Sequence, residues 1–114
     1  MNVFRYDTIK AEDVVMEGAS KVKVRWLITK EMGAKNFAMR VFELEPDGYS
    51  PLHKHPWEHE VFILEGKGQL FDGQKATPFQ AGDAIFVQAD EMHQFKNSSK
   101  KLLKFICLIP HPKK

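Results

Sequence analysis

The chain has one cysteine, Cys107, among its 114 residues, so no disulfide can form within it. A lone thiol fits a reducing compartment. No stretch approaches the roughly 18 consecutive apolar residues of a membrane-spanning helix. The start, Met1-Asn2-Val3-Phe4-Arg5-Tyr6-Asp7, has no apolar signal core. Neither charge sign dominates: 17 Lys and Arg face 15 Asp and Glu, a net charge of +2. The only short basic runs are Lys100-Lys101 and Lys113-Lys114, and there is no basic stripe or stacking motif of the kind that binds nucleic acid. Long helical periods, linkers, low-complexity tracts and repeats are also missing. A hydrophobic share of 43% is nonetheless enough for a real core. These features predict one soluble, cytoplasmic domain over residues 1–114, with no nucleic-acid or membrane partner.

Strand signals dominate what is present. Residues 22–29 and 37–44 are rich in β-branched and aromatic side chains, and Pro46-Asp47-Gly48 is expected to end the second run. Further strands are expected at 60–65, 68–71, 84–87, 93–96 and 102–109, with an Asp72-Gly73 turn after the fourth. Only Ile9 to Met16 has room for a turn of helix, with Thr8 as its cap. Many short strands separated by frequent turns predict an all-β sandwich or barrel. Segment 61–64 is wholly apolar, and in 102–109 only Lys104 interrupts. A sheet with one wet face alternates more cleanly, so the outer face should be covered, by the N-terminal arm 1–20 or by a second subunit. A homodimer is expected.

The stretch His53-Lys54-His55-Pro56-Trp57-Glu58-His59-Glu60 carries three of the five histidines. Residues two apart on a strand share a face, so His53 and His55 can reach one ion. His93 follows 34 residues after His59, at another strand start. Neutral imidazole is the commonest protein ligand for transition metals. His111, in a tail between prolines, is expected to be exposed and uninvolved. No nucleophile–base pair, phosphate-binding glycine loop or paired carboxylates are visible.

These residues resemble the two-motif signature of the cupins. The first motif runs Gly, five residues, His-x-His, three or four residues, Glu, six residues, Gly. Here Asp47 stands at the first position, His53-Lys54-His55 matches, and Gly66 closes it. The second runs Gly, five residues, Pro-x-Gly, two residues, His, three residues, Asn. Gly82, His93 and Asn97 match, while Gln88 replaces the proline and Asp90 the second glycine. The resemblance covers about residues 37–109 and implies a double-stranded β-helix, or jelly-roll, barrel with a metal in its mouth.

Counted back from Gly66, His59 takes the family's glutamate position and Glu60 falls on the opposite face, because a slip of one residue inverts a strand. The resemblance therefore implies a four-histidine site of His53, His55, His59 and His93, with Glu58 and Glu60 solvated or outside the ligand set. Single-domain cupins with this substitution are described with manganese. The soft, neutral donor set by itself favours copper, nickel, zinc or iron(II). Trp57, Phe105 and Cys107 are candidates to line the pocket. The function expected is a metal-dependent oxidoreductase using oxygen or peroxide on a small organic substrate. The alternatives are a non-catalytic ligand-binding or metal-sensing module and a metal-dependent isomerase.

Overall fold

A computed structural model describes residues 1–111. The expected tail Lys113-Lys114 lies outside them. Nine strands follow in order: Glu12–Asp13 (β1), Ser20–Ile28 (β2), Phe37–Tyr49 (β3), His59–Glu65 (β4), Lys67–Phe71 (β5), Ala76–Gln80 (β6), Ala84–Val87 (β7), Gln94–Lys96 (β8) and Leu103–Pro110 (β9). Every pairing between them is antiparallel. The main path runs β6-β5-β8-β3-β9-β4-β7, with β2 on β3 and β1 on β2. The long β3 makes this possible. Its first half pairs with β2 and β9, and its last residue, Tyr49, pairs with β8 on the other wall. The curled sheet is an all-β antiparallel barrel, and no helix among the described residues is long and apolar enough to cross a membrane.

Alternation decides what faces inward. Leu103, Phe105, Cys107 and Ile109 of β9 are buried, as are His59, Val61 and Ile63 of β4. They pack with Leu44, Phe79, Val87 and Phe95 into one core. Phe105 stacks between Phe42 and Phe95, with ring centroids at 5.5 and 4.8 Å. The tight β4–β5 turn depends on Gly66, which has φ +85°, and where a Cβ would collide with the Leu102 carbonyl oxygen.

Several expectations need correction. Residues 9–16 form no helix. A single 3-10 turn occupies Tyr6–Thr8, and β1 then pairs along β2, whose free edge competes successfully for those backbone groups. Pro46-Asp47-Gly48 does not end β3. The chain continues through a register shift against β2, with Gly48 so close to the Lys21 and Glu45 carbonyls that a Cβ would sit 2.8 Å from each. Strand β6 was not anticipated, because Pro78 interrupts its run. It pairs only with β5, and an edge strand tolerates the missing N–H.

The arm reaches the outer face only in part. Lys104 Nζ donates to the Tyr6 hydroxyl at 2.7 Å, and the Arg25 guanidinium lies 5.4 Å from the Tyr6 ring. The apolar outer surface of β4, β7 and β9 is left open, with Phe62 47% and Phe86 55% exposed beside Ile106 and Leu108. His111 is half-buried rather than exposed: its Nε2 lies 2.7 Å from the Ala34 carbonyl oxygen, and its N–H donates to Asn36.

The altered motif positions keep their turn geometry. Asp47 has φ +67° and Asp90 φ +65°, so both stand in the left-handed region that the family's glycines favour. Aspartate is among the few side chains that enter it readily. Replacing either by Gly should therefore leave stability unchanged or raise it by up to about 1 kcal/mol, whereas Ala should lower it by about 1 kcal/mol. Urea unfolding midpoints of the four variants check this.

Candidate metal centre

The two histidine segments are joined through their backbones. His53 N–H donates to His93 O at 3.1 Å, and His93 N–H returns the bond to His53 O at 2.9 Å. On either side, Ser50 N–H donates to Phe95 O, Asp90 N–H to His55 O, and Asn97 N–H to Gly48 O. Asn97 is 2% exposed and satisfies its surroundings completely. Its Nδ2 donates to the Leu44 and Lys101 carbonyls, and its Oδ1 accepts from Ser99 N–H and Oγ–H. This lacing holds residues 47–55 against 90–97.

The imidazoles converge as a result. Ligand nitrogens of His53, His55 and His93 all lie within 4.8 Å of one another, and the Nε2 atoms of His53 and His55 are 3.2 Å apart. His59 comes from the inner face of β4, with its ring centroid 4.8 Å from that of His93 and 5.3 Å from that of His55. It stands outside the compact trio. Glu58 and Glu60 are exposed, with Glu60 on the outer face of β4.

Outer contacts orient these rings. His93 Nδ1 is 2.9 Å from the Glu91 carbonyl oxygen, so it carries the proton and leaves the Nε2 lone pair facing the cluster. His59 Nδ1 lies 3.3 Å from Cys107 Sγ, while its Nε2 is buried without any partner. A buried ring nitrogen left unsatisfied is costly in either tautomer, and with the proton on Nδ1 an ion among the rings would satisfy Nε2. Three convergent nitrogens plus this orphaned fourth fit a divalent transition metal.

Burial sets the electrostatics. Desolvation, then repulsion from His55, His93 and Arg40, lowers His53 to about 4. Desolvation, then His93 and Arg40, lowers His59 to about 3. His55 and His93 are also lowered, mainly by burial. The cluster is therefore a set of neutral donors at neutral pH. Burial pushes the Cys107 thiol up, against the pull of the Arg40 guanidinium.

The rings open into a cavity of about 340 Å³, walled by Val22, Val24, Phe42, Leu44, Phe95 and Phe105. Cys107 belongs to the same wall, between Arg40 and His59. Trp57 does not line it, contrary to expectation. Its indole lies flat against the His55 imidazole, at 4.6 Å and 4°, so the imidazole forms the wall and the indole backs it. Two contributors were not anticipated. Residues 12–16 of the arm form part of the rim, and Arg40 of β3 projects inward at the cavity. Arg40 follows from strand parity once the inner face of β3 is known through Ala38, Phe42 and Leu44, but an arginine on an inward face is not a motif.

The chain is thus an antiparallel barrel with a histidine cluster at its mouth that could hold a metal ion. The chain belongs to the cupin domain family, whose model matches residues 40–109. It is similar over 98% of its length to the polyketide cyclase RemF from Streptomyces resistomycificus, at 33% identity and TM-score 0.93, covering 80% of that chain. A predicted oxalate decarboxylase from Thermotoga maritima is also 33% identical, with 96% of this chain and 98% of that one covered at TM-score 0.85. A 1-methylthio-D-xylulose 5-phosphate methylsulfurylase from Rhodospirillum rubrum is 31% identical over 71 residues, 62% of this chain. The chain spans 46% of the length of that curated relative.

The lowered imidazoles carry a pH signature for the metal-free protein. Below the ordinary value of 6.5, the unfolded chain takes up protons that the folded cluster refuses. Stability should thus be full above pH 6.5 and fall as the pH drops towards 4. Urea midpoints at pH 7, 6 and 5 should decline, and the decline should flatten in His53→Gln and His59→Gln.

Proposed function

We propose that the chain is a metal-dependent enzyme acting on a small, largely apolar organic molecule held in the barrel mouth. The observation that carries this reading is the convergence of three neutral imidazoles, with His59 and its orphaned buried Nε2 beside them, at an apolar-walled cavity. His53, His55 and His93 would hold the ion, with His59 as fourth ligand through Nε2. The ion would supply Lewis-acid polarisation of a substrate oxygen. The chain's own residues do the rest. Phe42, Phe95 and Phe105 bind the apolar body and exclude water. The Glu91 carbonyl and Cys107 hold His93 and His59 in the tautomers that present Nε2. Glu12 and Asp13 on the rim are the cavity's carboxylates and can accept a proton from a bound molecule.

A non-oxidative reaction is favoured by two observations. Cys107, a thiol 3.3 Å from His59 Nδ1, would be exposed to any oxidant activated at the ion. The two relatives at 33% identity over nearly the whole chain carry the names of a cyclase and a decarboxylase. The oxidoreductase reading, with oxygen or peroxide, stands second. It is favoured by the all-nitrogen donor set, which accommodates redox-active iron or copper as well as manganese, nickel or zinc.

Elemental analysis after loading with each ion tests the ligand set. Replacing His53, His55, His59 or His93 by Ala should weaken retention about 10-fold or more, while His111→Ala should leave it intact. Unchanged retention in His59→Ala would reduce the site to three histidines. For the reaction, the loaded protein should accelerate deuterium exchange at the carbon between the carbonyls of small 1,3-diketones beyond free ion, and lose this in His53→Ala. Peroxide-dependent product would favour the oxidoreductase. Binding of the diketones without exchange or oxidation for any ion would make the chain a binding module.

We further propose a homodimer through the outer face of β4, β7 and β9, where Phe62, Phe86, Ile106 and Leu108 form an apolar surface that a two-fold axis can match to itself. Light scattering at micromolar concentration should give twice the chain mass, and Phe86→Glu should halve it. A monomeric mass for the unaltered chain would overturn the pairing.

A further inference from the structure

Arg40 is the one guanidinium in the cavity wall, and among the described residues no carboxylate pairs with it. It sits on the inner face of β3, in register with Trp26 of β2 and Cys107 of β9. Its charge lies 4.8 Å from the Phe42 ring centroid and 5.3 Å from that of Trp26. Nη2 donates to Cys107 Sγ at 3.1 Å, and Nε is buried with no acceptor. The two rings lie at cation–π distance from the group, while its Nε donor stays unused. The rim carboxylates Glu12 and Asp13 line the same cavity but make no ion pair with it. A partly buried cation beside neutral imidazoles, without a counter-ion and with a silent donor, is a costly arrangement for an empty protein.

We infer that Arg40 anchors a carboxylate on the apolar substrate of this cavity. The inference rests on the metal-dependent reading for what happens to the substrate, though not for the anchoring itself. A carboxylate fits the site better than a phosphate. One guanidinium offers a planar pair of donors suited to a planar monoanion. Among the described residues, no lysine or second arginine lines the cavity to share the charge of a dianion. The remaining wall is aliphatic and aromatic, which suits an aryl or alkyl body. At about 340 Å³ the cavity lies near the small end of ligand pockets, roughly 300–1,000 Å³.

Matched acids and amides test this without knowledge of the reaction. Benzoate against benzamide, and phenylacetate against phenylacetamide, are titrated into metal-free and zinc-loaded protein by ligand-observed NMR, with phenyl phosphate as a third arm. Each acid should bind about 10- to 100-fold more tightly than its amide, the range for a charge-assisted hydrogen bond. Arg40→Met should abolish that preference in the metal-free protein while zinc retention stays at the unaltered level. Arg40→Lys, which keeps the charge but not the fork, should restore part of it.

Arg40→Met that keeps the preference overturns the inference, as does unaltered protein with no preference. Phenyl phosphate binding more tightly than benzoate overturns the carboxylate assignment. Should Arg40→Met fail to fold, the acid–amide contrast in the unaltered protein and in Arg40→Lys decides. Loss of zinc from the unaltered protein would sink the metal reading alone, because the metal-free titrations still report on Arg40.

Discussion

Two backbone hydrogen bonds between His53 and His93 hold the histidine cluster together. They join a loop before β4 to the start of β8, segments 40 residues apart in sequence. A pair that exchanges both bonds has Cα atoms about 5.5 Å apart, so the two imidazoles are neighbours whatever their rotamers. Around this bridge, the Ser50–Phe95, His55–Asp90 and Gly48–Asn97 bonds extend the contact. Buried Asn97, with all its polar atoms satisfied, pins the far end. The histidine cluster is thus pre-organised by main-chain pairing. Side chains need only complete a convergence that the backbone imposes.

The centre also has an electrical asymmetry. Its donors are neutral, held so by burial and by one another. Beside it stands the fixed charge of Arg40, linked through Cys107 to His59 by contacts of 3.1 and 3.3 Å. A divalent ion would add to this positive charge with no carboxylate deep in the pocket to offset it. In a low-dielectric cavity such an excess is strongly felt, and an anionic ligand relieves it. With imidazoles and no carboxylate in the cluster, offsetting that charge would fall to whatever binds.

Much of this was legible in the residues. Turn spacing and alternation carried the all-β class, because a strand's period of two is written directly in its side chains. The position of His59 relative to Gly66 carried its inward orientation, since the pleat allows no intermediate. Where sequence misled, a local signal met a non-local competitor. The helix-compatible run 9–16 lay beside the open edge of β2, which took its backbone groups. The proline in β6 was harmless because that strand sits at an edge. Pro46-Asp47-Gly48 looked like an end but serves as a kink, with Asp47 left-handed inside a continuing strand.

The sequence by itself determined the fold class, the family and the histidines that could meet, because these depend on periodicity and spacing along the chain. Tertiary structure decided which atoms meet. It turned Trp57 behind His55 instead of into the cavity, brought the arm to the rim, and tied His59 to Cys107. It also set Arg40 opposite Trp26 and Cys107 with no partner for its charge. Those outcomes depend on which strands become neighbours across the barrel. That is a property of closure and register over the whole chain, and no short stretch of residues encodes it.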